Sequence, residues 1–452
     1  MNQRHTILGR AALGLLLGAV AVVASASESP QQARQSLVDH NAEFRKRVEE
    51  PAPGIFVAIG YSASNVTLVQ TRNGSIIVDT GANPVDARAI VEAFGDRLTR
   101  PVQAIIYTHA HPDHTGGAKI FAGTDHPDIY AHRSMLEAGP VIGRGMREGG
   151  DAFGTRLPDS EFINAGTQLE YGRITAPTSE GYLPPTRAID GQQQNVEIGG
   201  IQIQAVHTPG EADENLSLWL PASRTLIAGD VILKTFPNIA PLRGLPTRPV
   251  AAWVKSLDRL IALSPAHLVP GHMGTVDGTD KVTDVLTAYR DGIKSVYDQT
   301  IAGLSSGATP DELVERIRLP AHLAGHPYLQ EVYGTVPWAV RGIYAQHAGW
   351  FDGQPVNIFP LPPAQHASRL QALAGGTDAL MKAGQAALDE GDYQWALELA
   401  TNVLVLTPQN RQALQIKISA LRELGLRQSN ATARNYYLTV AQALQRQRDE
   451  VR

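Results

Sequence analysis

Three histidines and an aspartate crowd into six residues of the run IIYTHAHPDHTGGA, residues 105–118. An apolar run ending at Tyr107 delivers His109, His111, Asp113 and His114 in a tight loop, and Gly116 and Gly117 let the backbone turn into a helix. The chain has no cysteine. Thiol catalysis and thiolate-ligated metal are therefore excluded, and imidazole and carboxylate are the ligands zinc takes when thiolate is missing. Alternation points His109 and His111 the same way, while Asp113 and His114 lie one step further on, where they can hold a second ion. Four ligands so close together suit a two-metal site. A solitary histidine would most often be a surface or core group; clustering at the end of a strand argues for ligation.

The elements that must position this loop have two textures. From about residue 54 to about residue 291, the runs SIIVDTG, VQAIIYTH, IQIQAVHTPG and TLIAGD alternate with helical stretches and Gly/Pro/Asp turns, the pattern of a layered α/β fold. The strands there end in polar residues. Beyond about residue 295 the strand signals fade, and from Gln365 onward the period is helical. In LMKAGQAALDEGDYQWALELATNVLVLTPQN, Ala and Leu recur at three and four residues, and the EGDY turn and Pro408 punctuate two antiparallel helices, a pattern similar to a tetratricopeptide hairpin. One hairpin is too few for a solenoid, so it is expected to pack on neighbouring helices or across a dimer.

At 452 residues the chain is long enough for two folded units. Its 43% apolar and 18% charged residues are a globular balance, not that of a disordered chain. A net charge of −5, with no Lys/Arg run, leaves no field to attract phosphate backbones, so nucleic acid is excluded as a partner. At the N-terminus, Arg4 and Arg10 precede an uncharged run over residues 11–23 and then Ala24, Ser25 and Ala26. This reads as a secretory signal peptide, too short to prefer a membrane span, and it predicts export to a periplasmic or extracellular location with no stable span after cleavage. Arg4 and Arg10 are not adjacent, so a twin-arginine route is not indicated.

The H-x-H-x-D-H cluster resembles the hallmark of the metallo-β-lactamase superfamily. In that superfamily a ligand follows a strand ending in TPG, and HTPGEADEN puts Glu211 there, with Glu214 three residues on as a competitor. A bridging carboxylate follows a later strand, and TLIAGD supplies Asp230; a final His follows a Pro-Gly turn, and LVPGHMG supplies His272. The resemblance implies two zinc ions per chain, one on His109, His111 and Glu211 and the other on Asp113, His114 and His272. Asp230 and a water would lie between them, and Asp113 and Asp230 are the expected catalytic carboxylates. His207, just before TPG, is expected in the core or behind a ligand.

A Glu in place of the usual third His makes such a site more negative, which would oppose an anionic substrate unless arginines compensate. The stretch FPNIAPLRGLPTR offers them and resembles the alkyl sulfatase branch. That resemblance implies sulfate binding by Asn238, Arg243 and Arg248, with guanidinium forks matching sulfate oxygens. EVYGTVPWAVRGIYAQHAGWFDGQP, LQALAGGTDALMKAGQAALDEGDYQWALELA and ARNYYLTVAQAL resemble the helical dimerisation domain of the same branch.

The implied architecture is a metallo-β-lactamase αββα sandwich followed by an all-α C-terminal dimerisation domain. The implied boundaries are a signal peptide at 1–26, an N-terminal extension at 27–53, a hydrolase domain at 54–291 and a helical domain at 292–452. The implied activity is zinc-dependent hydrolysis of a small sulfate ester to alcohol and sulfate by a homodimer; the alternative is another exported hydrolase of this fold, acting on a lactone, lactam or phosphoester. Three departures bear on substrate range. Asp230 stands where many alkyl sulfatases have Glu, VPWAV replaces a more polar sequence, and the sterol-carrier-like domain of larger members is expected to be absent.

Overall fold

The computed structural model describes residues 29–138, 151–164, 166, 179–242 and 246–450. The signal-peptide expectation and Arg243 fall outside them. Two sheets lie face to face. The first runs β1 (Arg47–Ala52), β2 (Ile55–Ile59), β3 (Val66–Thr71), β4 (Gly74–Val78), β5 (Val102–Ile106), β6 (Asp128–His132), β7 (Arg187–Ile189), in chain order. It is antiparallel through β4 and parallel from β4 to β7. The second sheet is ordered β13 (Val276–Asp277), β12 (His267–Pro270), β11 (Thr225–Gly229), β10 (Leu216–Leu220), β9 (Ile201–His207), β8 (Gln193–Ile198), with only β11 and β12 parallel.

Period-two alternation makes the layers. In β2, Ile55, Val57 and Ile59 point between the sheets to meet Leu216, Leu218, Leu220, Ile227 and Val269. Phe56 and Ala58 point the other way, against Ile90 and Phe94 of helix Pro84–Phe94 and Phe121 of helix Ala118–Ala122. The outer face of the second sheet, with Trp219, Leu226 and Leu268, is covered by helices Val250–Ala262, Thr279–Ser305 and Val336–Ala348 through Trp253, Leu257, Leu286, Ile293, Val340 and Ile343. The result is the αββα sandwich.

Residues 363–450 form five further helices, Pro363–Ala374, Thr377–Glu390, Tyr393–Leu406, Arg411–Leu426 and Ala431–Glu450; the middle three share a core of Leu380, Met381, Leu399, Val403 and Ile416, and Ala431 of the last packs with Leu37, Ile163 and Val332. The EGDY turn works through Gly391, left-handed at φ 86°, and Asp392, whose side chain caps the next helix on Trp395 N. Two expected boundaries fall differently. β1 lies before residue 54 yet pairs with β2, and the 27-residue helix Thr279–Ser305 runs through the 291/292 junction, its Val285, Tyr289, Ile293 and Val296 in the core shared with the second sheet. Among the described residues no helix is long and apolar enough to cross a membrane.

Candidate metal centre

Strand ends deliver the polar cluster. The turn after β5 carries His109 and His111, and the short helix Pro112–Thr115 carries Asp113 and His114. The loop after β9 brings Glu211, the end of β11 brings Asp230, and the turn after β12 brings His272. Asp230 Oδ2 sits at the centre, 3.5 Å from His109 Nε2, 3.4 Å from His114 Nε2 and 3.3 Å from His272 Nε2. Asp113 Oδ2 lies 3.6 Å from both His114 Nε2 and His272 Nε2. His111 groups with Glu211 and Asp230, and Asp113 with His114 and His272, each set having its ligand atoms within 4.8 Å of one another. All seven sequence-predicted metal residues are therefore brought together.

The donor set fits cations. Asp113, Glu211 and Asp230 are all at most 9% exposed, and carboxylates that deep need positive charge or hydrogen bonds to stay ionised. Arg248 supplies part of it, with Nη2 3.0 Å from Glu211 Oε1. Asp230 Oδ1 and His114 Nε2 are buried and make no hydrogen bond, as atoms reserved for an ion would be. In the protein alone, burial, with His114 beside it, pushes His109 well below the ordinary imidazole value. Burial also opposes the charged form of His114 and His272, but the Asp230 carboxylate outweighs it and holds both above that value, helped by Asp79 at His114. Asp230 is held well below the usual carboxylate range because His272, His114 and His109 overcome the cost of burying it. The cluster is thus a tight alternation of acid and imidazole, which divalent cations would replace with coordinate bonds.

Several alternatives left open by the sequence separate in space. Glu214 lies outside the cluster; its Oε1 accepts from Ala110 N at 3.0 Å and so pins the loop between His109 and His111. His207 stacks on His132, ring centroids 3.8 Å apart and 7° from parallel, with Nε2 2.7 Å from Asp213 O. Asn238 is buried with Oδ1 lacking a hydrogen-bond partner, and the backbone joins it to Arg248 through Arg248 N donating to Ile239 O at 2.9 Å.

Sequence reasoning missed the groups that aim the ligands. Asp79, at the end of β4 with φ 58°, accepts from Thr108 N and Thr108 Oγ1 and faces His114 Nδ1, each at 2.8 Å. This is the carboxylate–histidine arrangement that fixes a ligand's tautomer and orientation. The Asp in SIIVDTG was visible as a strand end, but nothing in its spacing ties it to His114. His272 Nδ1 is held by Ala63 O at 2.7 Å. Asn65 Nδ2 donates to Pro270 O at 3.0 Å and Met273 O at 2.7 Å, bracketing the His272 turn.

Two family models match the chain, the metallo-beta-lactamase superfamily over residues 59–272 and alkyl sulfatase dimerisation over residues 309–447. A linear primary-alkylsulfatase of Pseudomonas sp. (strain ATCC 19151) is 38% identical over 396 residues, covering 84% of this chain and 73% of that protein. An (R)-specific secondary-alkylsulfatase of Pseudomonas sp. is 27% identical over 418 residues, covering 87% of this chain and 62% of the relative. Among solved structures, the stereoselective inverting sec-alkylsulfatase Pisa1 from Pseudomonas sp. superposes with a TM-score of 0.78 at 26% identity, over 88% of this chain and 65% of its own. The chain thus spans about three quarters of the first relative and under two thirds of the other two proteins.

Proposed function

Since the chain belongs to the alkyl sulfatase branch of the metallo-β-lactamase superfamily, we propose that it hydrolyses alkyl sulfate esters to an alcohol and inorganic sulfate. The observation that carries this reading is the 38% likeness to a linear primary-alkylsulfatase over 396 residues and 84% of the chain, more than the sandwich alone can supply. A likeness confined to the sandwich would have supported only the superfamily.

In this reading His109, His111 and Glu211 would hold one zinc ion and Asp113, His114 and His272 a second, with Asp230 as a carboxylate available to both. Bound there, the pair would supply a water acidified to near neutrality and positive charge for the sulfate. The remaining work belongs to side chains. Asp230 and Asp113 are the carboxylates that would orient the attacking water. Asn238, Arg243 and Arg248 would take the sulfate oxygens, and the ion pair with Glu211 holds the Arg248 guanidinium against the cluster of metal-binding side chains. Charge that develops on the sulfate group would then meet donors already in place. The protein is exported through its N-terminal signal and acts as a homodimer joined through the helical unit.

Metal analysis of the purified protein, combined with a sulfate-release screen over short, long, secondary and aryl sulfates, tests the reading. Sulfate release that is lost with chelator and restored with zinc supports it; turnover of a lactone, lactam or phosphoester with no sulfate release overturns it. Replacing Arg243→Ala is expected to remove most activity with both metals retained, and undiminished activity would dismiss the sulfate clamp. Hydrolysis in isotopically labelled water assigns cleavage to C–O or S–O by the product that carries the label.

A further inference from the structure

A short loop, residues 330–335, lies between the last helix of the chain and the segment that carries Asn238. On the Asn238 side, Gln330 O accepts from Phe236 N at 2.7 Å and from Thr235 Oγ1 at 3.0 Å, and Gly334 N donates to Phe236 O at 3.2 Å. Gly334 has no side chain to hold the surfaces apart. A Cβ there would overlap Pro237 O and press on Asn238 Cα. On the other side, Ala431 N donates to Val332 O at 2.7 Å, and the buried side chain of Asn430 divides its work. Its Oδ1 caps the helix by accepting from Ala433 N at 2.9 Å. Its Nδ2 donates to Glu331 O at 2.8 Å and Tyr333 O at 3.1 Å. Asn238 has no hydrogen bond to its own Oδ1, so its amide is placed by the backbone around it, and that backbone is pressed into position by the loop.

We infer that Asn430 is a positioning residue for substrate: it clamps residues 331–333, which seat Gly334 against Pro237 and Asn238 and so aim the Asn238 amide at the sulfate. The inference rests on reading Asn238 as a sulfate ligand. It gives the last helix, some 190 residues downstream of Asn238, a part in substrate affinity.

The test uses the full-length zinc-loaded enzyme and sulfate release from octyl sulfate. Asn430→Asp keeps the oxygen that caps Ala433 N and replaces the donating amide with an oxygen that repels the Glu331 and Tyr333 carbonyls. Expected is a KM raised about tenfold, the equivalent of losing one or two buried hydrogen bonds, with kcat within about twofold of the parent and zinc content unchanged. Asn238→Ala is expected to raise KM as well, and the double variant is expected to be no worse than Asn238→Ala alone, because both act through one contact. An unaltered KM in Asn430→Asp overturns the inference, as does a KM penalty that adds fully to that of Asn238→Ala, or a fall in kcat that tracks lost zinc. If Asn238→Ala alone leaves KM unchanged, the sulfate role of Asn238 has failed and the inference falls with it; if only Asn430→Asp is silent, the sulfate role stands and the inference alone is lost. Should Asn430→Asp not fold, Gly334→Ala perturbs the same contact from the opposite face and is read by the same outcomes.

Discussion

Asp79 serves three hydrogen bonds with one carboxylate, and only one of them touches a ligand. Replacing it with asparagine removes the oxygen shared by His114 Nδ1 and Thr108 Oγ1 while the one that accepts from Thr108 N remains. We expect metal affinity to fall about 10- to 100-fold with little change in fold, measured by competition with a chromogenic chelator alongside a thermal melt. Glu49 acts on the opposite flank. Its carboxylate accepts from Thr275 N at 3.0 Å and Thr275 Oγ1 at 2.7 Å and pairs with Arg47 at 2.7 Å. Burial raises its pKa, but these partners outweigh burial and hold it below its ordinary value of 4.5. A depressed carboxylate contributes stability above the unfolded value and loses it as pH falls through the folded one. The gap in melting temperature between parent and Glu49→Gln should therefore be full at pH 7 and close once pH drops below 4.5; a gap that persists in acid would refute the linkage. The four ligands in residues 109–114 were legible in the sequence because one strand end supplies them all. Glu211 and Glu214 were not separable, since both lie in one loop and only its path decides which acid meets His111 and which meets Ala110 N.

Turns, more than strands, set the precision of the centre. Gly271 lies against Asp230, and a Cβ there would collide with Asp230 Oδ1. Gly271→Ala should displace the central carboxylate and cut both metal content and kcat by more than tenfold, in line with a one-ångström misplacement at a reacting centre; retained zinc and activity would show that the turn can yield. At the far end of the chain, Asp392→Ala removes a helix cap and should cost about 1 kcal/mol of stability with kinetics unchanged, as read by denaturant unfolding. The helical hairpin around Asp392 was readable because its apolar period and its Gly-Asp turn agree. β1 was not, because its residues RVEEPA are partly exposed over the first four positions, so it shows no apolar alternation and is ordered by pairing with β2. The helix Thr279–Ser305 has the same lesson in reverse. Helical texture was expected only beyond about residue 295, yet this helix begins at Thr279, and its apolar face belongs to the second sheet, which composition along the chain does not reveal.

Across the whole molecule, the segment between helix Val336–Ala348 and helix Pro363–Ala374 presents Trp350, Val356, Ile358, Phe359 and Leu361 to solvent, Phe359 at 92% exposure. A run of exposed apolar side chains this dense is suited to contact with another surface, and it lies inside the region matched by the dimerisation model. Sedimentation analysis should find a dimer in the parent, and Phe359→Asp should shift it towards monomer with zinc content preserved; a monomeric parent would remove the arm from the interface. The long helix Thr279–Ser305 bears on how such enzymes can be recombined. A chimaera spliced at residue 292 would take its donor's second half of a helix whose first half was shaped for a different sheet, and both parents' packing would be spoiled. The workable splice lies in residues 349–362, after the chain has left the shared core, and the grafted tail must still present an amide at the position of Asn430, or the new partner will receive a substrate loop with nothing behind it.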